Sequence, residues 1–506
     1  MIAGDLLGER ARLTPEKLAL VTVPGGERLS YAELDRRSWG CARLLTERLG
    51  LAPGDRFGLL AGNRAEYLEA FFACGKTGVT IVPLGTRLTA AEIAHVVADS
   101  GLTVLLHSAE FHDRVAELAG LGVCPRTVDL DGDYAAWRGE LAEPAPTSFR
   151  ADPEHLWALL YTSGTTGRPK GVKVPHRQVL WNGYNTVVGW GLRPEDVSPI
   201  FTPLYHAGGL GAFLVPIVTT GGTIVLHEGF DPAEIWRTIE RERATVVLGV
   251  PTIWERLSEV PEFASVDLSA VRFLISGGAP LPRFLIDRYQ ARGVGFKQGY
   301  GLTEVGVNCF TMTLEESVRK AGSIGKPLPF TAARLVDTEG REVAVDEVGE
   351  LWLRGPHVCR GYWRQPEATA AVLDDDGFFH TGDLARRDAE GFFTIAGRAK
   401  DMLISGGVNV YPAEIEGVLV LHPGIRDAAV VGVPDDRWGE AGVAFLVGAP
   451  GPVPEAELQA HLNERLARYK HPKAVVWVAE LPRTAYGKVV KGQLRDRWLN
   501  REEGTF

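Results

Sequence analysis

Cysteine is scarce in this sequence and never paired. The five cysteines (Cys41, Cys74, Cys124, Cys309 and Cys359) are scattered, odd in number and free of any Cys-x-x-Cys spacing. That excludes a disulfide framework or a cysteine zinc site and leaves them as reduced packing thiols, as in a cytosolic enzyme. Basic runs are missing as well. With a formal net charge of -10, a broad nucleic-acid footprint is excluded, whereas small anionic ligands held by local donors are not. No long hydrophobic run is unbroken: the longest, 210–226, is interrupted by Pro216 and by Gly221-Gly222. It reads as a buried helix followed by a strand rather than a membrane span. Residues 1–17 mix acids and bases without the apolar core of a secretory signal. The final Glu503-Gly504-Thr505-Phe506 is not a peroxisomal address. The expected location is cytoplasmic, with no integral membrane segment and no nucleic-acid partner; a homo-oligomer is compatible with all of this.

What is present is an ordinary globular balance, 45% hydrophobic and 23% charged, over 506 residues, too long for one core and therefore two or more domains. Short apolar runs alternate with helical patterns: 56–61 reads as a strand, 66–74 as a helix and 80–84 as the next strand. Thr89-Ala90-Ala91-Glu92 is a capping-box signature opening a helix before a strand at 103–107. The alternation returns at 245–250, 272–276 and 295–298, and implies parallel sheets covered by helices. From 334 to 396 closely spaced strands and turns predict a small antiparallel barrel or sheet. After Lys400 a separate α/β pattern begins, with a leucine-periodic helix on Leu458, Leu462 and Leu466. The fold class expected is α/β: a large N-terminal domain of doubly wound mixed or parallel sheets with a small antiparallel barrel-like subdomain, then a small, mobile α+β C-terminal domain.

The strongest local signal is Tyr161-Thr162-Ser163-Gly164-Thr165-Thr166-Gly167-Arg168-Pro169-Lys170-Gly171, after an apolar strand at 156–160. Its glycines let backbone approach a ligand, and its hydroxyls and cations supply donors that suit phosphate oxygens. It is not a P-loop, because Gly-Lys-Ser/Thr is absent and Pro169 opposes the helix that would follow. The segment resembles the phosphate loop of the adenylate-forming superfamily: acyl-CoA synthetases, peptide-synthetase adenylation domains and firefly luciferase. Further motifs follow in that family's order: Tyr205-His206-Ala207-Gly208-Gly209, Ser276-Gly277-Gly278-Ala279-Pro280, Gln298-Gly299-Tyr300-Gly301-Leu302-Thr303-Glu304, Thr381-Gly382-Asp383, Gly397-Arg398-Ala399-Lys400-Asp401 and Pro482-Arg483-Thr484-Ala485-Tyr486-Gly487-Lys488.

The resemblance implies a role for each motif. Thr162, Ser163, Gly164, Thr165, Thr166, Gly167 and Lys170 would hold the β- and γ-phosphates of ATP. Gly277, Gly278, Ala279, Pro280, Gln298, Gly299, Tyr300 and Gly301 would form the adenine slot, with Tyr300 offering a face for stacking. Thr303 would donate to the α-phosphate and Glu304 would hold magnesium. Asp383 would accept from the ribose hydroxyls, with Arg398 near the ribose or phosphates. Lys488 would reach the reacting carboxylate from the C-terminal domain, Lys400 would be the hinge, and Gly406 and Gly407 would border the thiol's path. Division into residues 1–397, a hinge at 398–400 and a mobile domain at 401–506 follows from the same resemblance.

Taken alone, each residue has a structural reading: Tyr300 as a core aromatic, Asp383 as a turn residue, Glu304 and Arg398 as surface charges. His206 before Ala207-Gly208-Gly209 resembles the acyl-CoA synthetase pattern, in which a histidine borders the carboxylate site. No acid in Pro203-Leu204-Tyr205-His206 is placed to pair an ammonium, whose burial alone would cost several kcal/mol, which disfavours an α-amino acid. The acyl pocket is expected along His206, Ala207, Gly208, Gly209, Val250, Trp254, Val305, Gly306 and Val307. The expected reaction joins a carboxylic acid to coenzyme A, or to a carrier-protein pantetheine, with ATP and magnesium through an acyl-adenylate. A medium or long fatty acid is the first reading and an aryl acid the second. A stand-alone amino-acid adenylating enzyme, a luciferase-like oxygenase and a catalytically idle nucleotide-binding protein rank behind them.

Overall fold

The computed structural model describes residues 4–143, 152–162, 169–278, 281–405, 408–435, 437–448, 451–483 and 489–500. Near the start, β1 (Leu18–Val23) and β2 (Arg28–Ser30) pair antiparallel. A six-stranded sheet follows, built from β3 (Arg56–Leu60), β4 (Thr80–Pro83), β5 (Val104–His107), β6 (Arg126–Asp129), β7 (Leu156–Thr162) and β8 (Lys170–Pro175). Its order is β6-β5-β3-β4-β7-β8, parallel except for the antiparallel β7–β8 pair. Parallel strands buried on both faces read as continuous apolar runs, and β4 and β5 are buried at every position.

The chain then returns to the first sheet with β9 (Val197–Ile200) and β10 (Thr223–His227), giving β2-β1-β10-β9. Next come β11 (Val246–Gly249), β12 (Phe273–Ser276) and β13 (Phe296–Gln298), a parallel trio joined to the β9 edge where the Thr245 amide donates to the Val197 carbonyl at 2.9 Å. Helix Ala65–Thr77 is buried on nearly every face. It tolerates two buried charges only because both are paired: Glu69 with Arg138 at 2.7 Å, and Lys76 with Asp5 at 2.8 Å and Asp35 at 2.5 Å. Its Gly75 lies against Gly4 and Trp157 with no room for a Cβ, which would fall 2.4 Å from the Gly4 carbonyl.

A short ribbon, β14 (Phe310–Thr311) and β15 (Lys326–Pro327), leads into an antiparallel sheet of β16 (Ala332–Val336), β17 (Val348–Arg354), β18 (Phe379–Arg387) and β19 (Phe393–Arg398). A Gly325–Phe393 bridge ties ribbon to sheet. After a single 3₁₀ turn, Ala399–Asp401, the C-terminal sheet is assembled from β20 (Leu403–Ser405), β21 (Val408–Val410), β22 (Ile425–Asp435), β23 (Gly439–Gly448) and β24 (Ala474–Trp477). Alternation along β22 and β23 divides their apolar side chains between two cores. Val430, Ala444 and Leu446 meet helices Pro412–Leu419 and Glu455–Arg465, while Val431, Val443 and Phe445 meet Leu481 and Leu494. The C-terminal part thus carries its own cores, and the chain is a large N-terminal domain followed by a small one.

The expected strands fall within a residue or two of those observed, and the Thr89 capping box is formed as read, with Glu92 returning to the Thr89 amide at 2.7 Å. Two details differ. Leu466 lies just past its helix in extended conformation, and Cys124 is exposed while the other four cysteines are buried, so it is not a packing thiol. Among the described residues no helix is long and apolar enough to cross a membrane.

Candidate active site

Two of the motifs, 276–280 and 298–304, begin at the carboxyl ends of the parallel strands β12 and β13, where α/β sheets leave backbone amides and loops free to meet ligands. β7 ends at Thr162, paired with Lys170 at the start of β8. A strand, not a helix, therefore follows Pro169, as its sequence requires. Ser163, Gly164, Thr165, Thr166, Gly167, Ala279, Pro280, Gly406, Gly407 and Lys488 lie outside the described residues. Arg483 and Val489, on either side of 484–488, are bridged antiparallel.

Gly277 and Gly278 leave the end of β12. A Cβ on Gly277 would find only the Gly299 carbonyl, at 3.8 Å, and Gly278 takes φ +79, so the strand ends on a bare backbone shelf. Beside it, Gln298 ends β13 and the Gly299 amide donates to the Ser276 carbonyl at 2.8 Å. The loop beyond folds on itself: the Leu302 amide reaches the Gly306 carbonyl at 3.0 Å, and Gly301 is so crowded that a Cβ would fall 2.3 Å from that oxygen.

This loop carries three of the expected site residues to different partners. The Tyr300 hydroxyl donates to Asp383 Oδ2 at 2.5 Å, while Arg398 Nε meets Asp383 Oδ1 at 2.6 Å. Asp383 and Arg398 are register partners across β18 and β19, so the sheet itself sets this pair. Burial, then the Asp383 charge, pushes the Tyr300 phenol well above its ordinary value. Thr303 offers its carbonyl to Gln178 Nε2 at 2.8 Å. Glu304 accepts from the Tyr362 hydroxyl at 3.1 Å, and the Lys170 ammonium stands 5.2 Å from the centroid of that same ring. Burial, then Glu304, raises the Tyr362 phenol in turn. Tyr362 has no motif to announce it; its link to β8 is a bridge with Val172.

Next to this polar cluster lies an apolar pocket of about 450 Å³ counted out to its mouth. Ala207, Thr303, Gly306 and Val307 line it, together with Phe71, Leu160, Val179, Leu210 and Val215. Its two amide side chains turn to the main chain: Gln178 to Thr303, and Asn182 to the Gly211 carbonyl at 2.6 Å and the Val307 amide at 3.1 Å. Among the described residues no charged side chain lines it. Several expected pocket residues are placed elsewhere. Trp254 is fully buried in a second core against Tyr289 and Phe296, and Val305 is fully buried. At Gly209 a Cβ would fall 2.3 Å from the Pro203 carbonyl, a close approach of backbone rather than a pocket wall. Val250 stands over Gly278 instead. His206 and Gly208 are half-buried beside the pocket rather than in its lining, and the His206 ring lies 4.6 Å from that of Tyr205.

Lys400 is exposed in the 3₁₀ turn between β19 and β20. Burial and Glu259 hold Glu255 above the usual carboxylate range, and Arg426, Asp427 and Arg483 of the small domain lie within electrostatic reach of it.

Parallel strand ends carrying glycine shelves, an acid-and-hydroxyl cluster and a small domain hung on one turn define an adenylate-forming enzyme. The chain belongs to the AMP-binding enzyme family, matched over residues 7–363, with its C-terminal domain matched over 414–488. It is 43% identical over 491 residues to a feruloyl-CoA synthase of Amycolatopsis sp, covering 97% of each chain. A long-chain-fatty-acid–CoA ligase of Mycobacterium tuberculosis is 35% identical, with 98% of each covered. Among solved structures, ATP-bound MatB from Rhodopseudomonas palustris superposes with a TM-score of 0.90 at 34% identity over 99% of both chains.

Proposed function

We propose that the protein is an AMP-forming acid–thiol ligase that activates an apolar monocarboxylic acid and passes its acyl group to coenzyme A. The observation that carries this reading is the adjacency of the uncharged apolar pocket to the cluster of Thr303, Glu304, Lys170 and Asp383, with Thr303 belonging to both. A carboxylate is a poor electrophile because attack would have to expel oxide. Its oxygen attacks the α-phosphorus of ATP, the bond to pyrophosphate breaks, and the carbonyl then carries AMP as leaving group; the thiol sulfur displaces AMP in the second step. Most of the catalysis in such chemistry comes from positioning and from meeting charge at phosphorus.

The donor set fits ATP with magnesium. Lys170, with the phosphate-loop motif ahead of it in sequence, would hold the β- and γ-phosphates, Thr303 would donate to the α-phosphate, and Asp383, oriented by Tyr300 and Arg398, would accept from the ribose diol. Glu304 supplies the hard oxygen ligand that magnesium prefers. Ala207, Gly306 and Val307 border the acyl group, with His206 by its carboxylate. Lys488 serves adenylation from the small domain. In this reading the domains run 1–397 and 401–506 with the hinge at 398–400, and Gly406 and Gly407 would border the thiol's path.

For the acid, an aromatic monocarboxylate comes first: the described lining is apolar, and the feruloyl-CoA synthase is 43% identical over 97% of each chain. A fatty acid is the second reading, favoured by the likeness to the long-chain ligase. The test is AMP and thioester formation over hydroxycinnamates, benzoates and C6–C16 fatty acids, with and without coenzyme A. Thioester with one class, formed only with coenzyme A present, is expected; no AMP with any acid, or AMP without thioester, overturns the proposal.

A further inference from the structure

We propose that His107, His112 and Asp129 form a three-ligand site for a zinc-class divalent cation, separate from the nucleotide site. Among the described residues these three bring their ligand atoms within 4.8 Å of one another. Two of them are set by the sheet: His107 ends β5, Asp129 ends β6, and they are direct partners across the parallel pair. His112 opens helix His112–Gly120 a few residues later, its ring 5.3 Å from that of His107. Strands β3 and β4 stand between this edge and the β7–β8 end of the sheet.

The surroundings orient the ligands. His107 is buried and its Nδ1 lies 3.2 Å from the Ser108 carbonyl; a carbonyl only accepts, so Nδ1 carries the proton and the lone pair is on Nε2. Such a carbonyl partner on the far ring nitrogen is the usual support of a metal-bound histidine. Asp129 Oδ1 is held by the Asp131 amide at 2.8 Å, which leaves Oδ2 toward His112 Nε2, also at 2.8 Å. A zinc ion with bonds of about 2.0–2.1 Å needs about 3.3 Å between two tetrahedral ligands. It would therefore replace the proton that His112 and Asp129 share after a shift of roughly half an ångström. Asp133 borders the same depression, and among the described residues neither lysine nor arginine lines it. Two imidazoles and one carboxylate suit zinc and its neighbours better than magnesium or calcium, and a fourth position is left to water. His112 stands at a helix N-terminus, whose amide dipoles oppose a cation, so the affinity belongs in the micromolar range rather than the nanomolar.

The full chain, free of nucleotide and magnesium, is titrated with zinc against a chromophoric chelator, and with cobalt(II) while its visible absorption is followed. One ion per chain is expected, with a cobalt spectrum of low coordination number. Affinity should fall at least tenfold in His112→Ala and again in Asp129→Asn. Both substitutions are at partly exposed side chains, so the variants remain folded. Zinc should raise the melting temperature of the parent by several degrees and that of neither variant. Absence of stoichiometric binding, or binding equal in the parent and both variants, overturns the site.

Discussion

Asp383 shows how much of this site is settled one side chain at a time. Its two oxygens are held by Tyr300 and Arg398 at hydrogen-bonding distance, so in the proposed role the carboxylate would meet the ribose already oriented. Charge-assisted hydrogen bonds are worth about 1.5–3 kcal/mol each. Asp383→Ala should therefore weaken ATP and AMP alike by roughly ten- to a hundredfold, read by calorimetry on the folded variant; unchanged affinity for both would place the ribose elsewhere. Lys297 makes a different point. It is buried beside Gln298 with its ammonium 4.4 Å from the Phe273 ring, and burial, then Arg272, pulls it down to about 8. The folded chain releases this proton near pH 8 and the unfolded chain near 10.4, so between those values the unfolded state binds more protons and stability rises with pH. Below pH 8 the full penalty applies, at most about 3 kcal/mol, less what the ring returns. Lys297→Met should be more stable than the parent at pH 7, with the gain shrinking toward pH 10 in urea-denaturation midpoints.

At the scale of elements, two short connections decide whether strands become a site. Gly301 lies against the Gly306 carbonyl and the Val307 backbone with no space for a methyl group. Gly301→Ala should displace the loop that carries Thr303 and Glu304, lowering adenylation at least a hundredfold while the melting temperature drops only a few degrees; unimpaired adenylation would show that the loop can shift without cost. The other connection is the 3₁₀ turn holding Lys400. In the proposed reaction Lys488 would approach the α-phosphate for adenylation, and the thiol would then have to reach the same carbonyl along a path that such an arrangement would obstruct. The proposed hinge would resolve the conflict by a rotation about a few exposed residues. Lys400→Pro fixes φ near −65° and removes an N–H, so thioester formation should slow far more than adenylation in single-turnover assays. Parallel slowing of both, or of neither, argues against a hinge at this turn.

For the molecule as a whole, the large apolar cores come with buried imidazoles. His176 packs 4.7 Å from Trp157, and burial drives both His176 and His227 down to about 4. In the unfolded chain they titrate near 6.5, so between about pH 6.5 and 4 the unfolded state binds more protons, and stability falls as pH falls through that window. Denaturation midpoints measured from pH 7 to 4 should decline, and His227→Asn should flatten the decline by close to one proton's slope; an identical slope in parent and variant would mean that His227 is protonated in the folded chain.

The sequence alone determined the parts that depend on local pattern. Alternating apolar runs located the parallel strands, Thr89 and Glu92 marked a helix start, and the glycines of 277–278 and 299–301 marked where β12 and β13 end, because glycine shelves and capping groups act within a few residues of where they are written. Tertiary structure alone decided what depends on distant segments meeting. Tyr362 reaches Glu304 and Lys170 through a bridge to β8, and Phe71 and Val215 meet at one pocket although no pattern links them. Trp254, which its neighbours in sequence place in the pocket, turns instead into a core beneath it, because Gly249 leaves room for its ring there. Side-chain direction at a strand end depends on which surface the opposing elements leave open, and that is a property of the packed molecule.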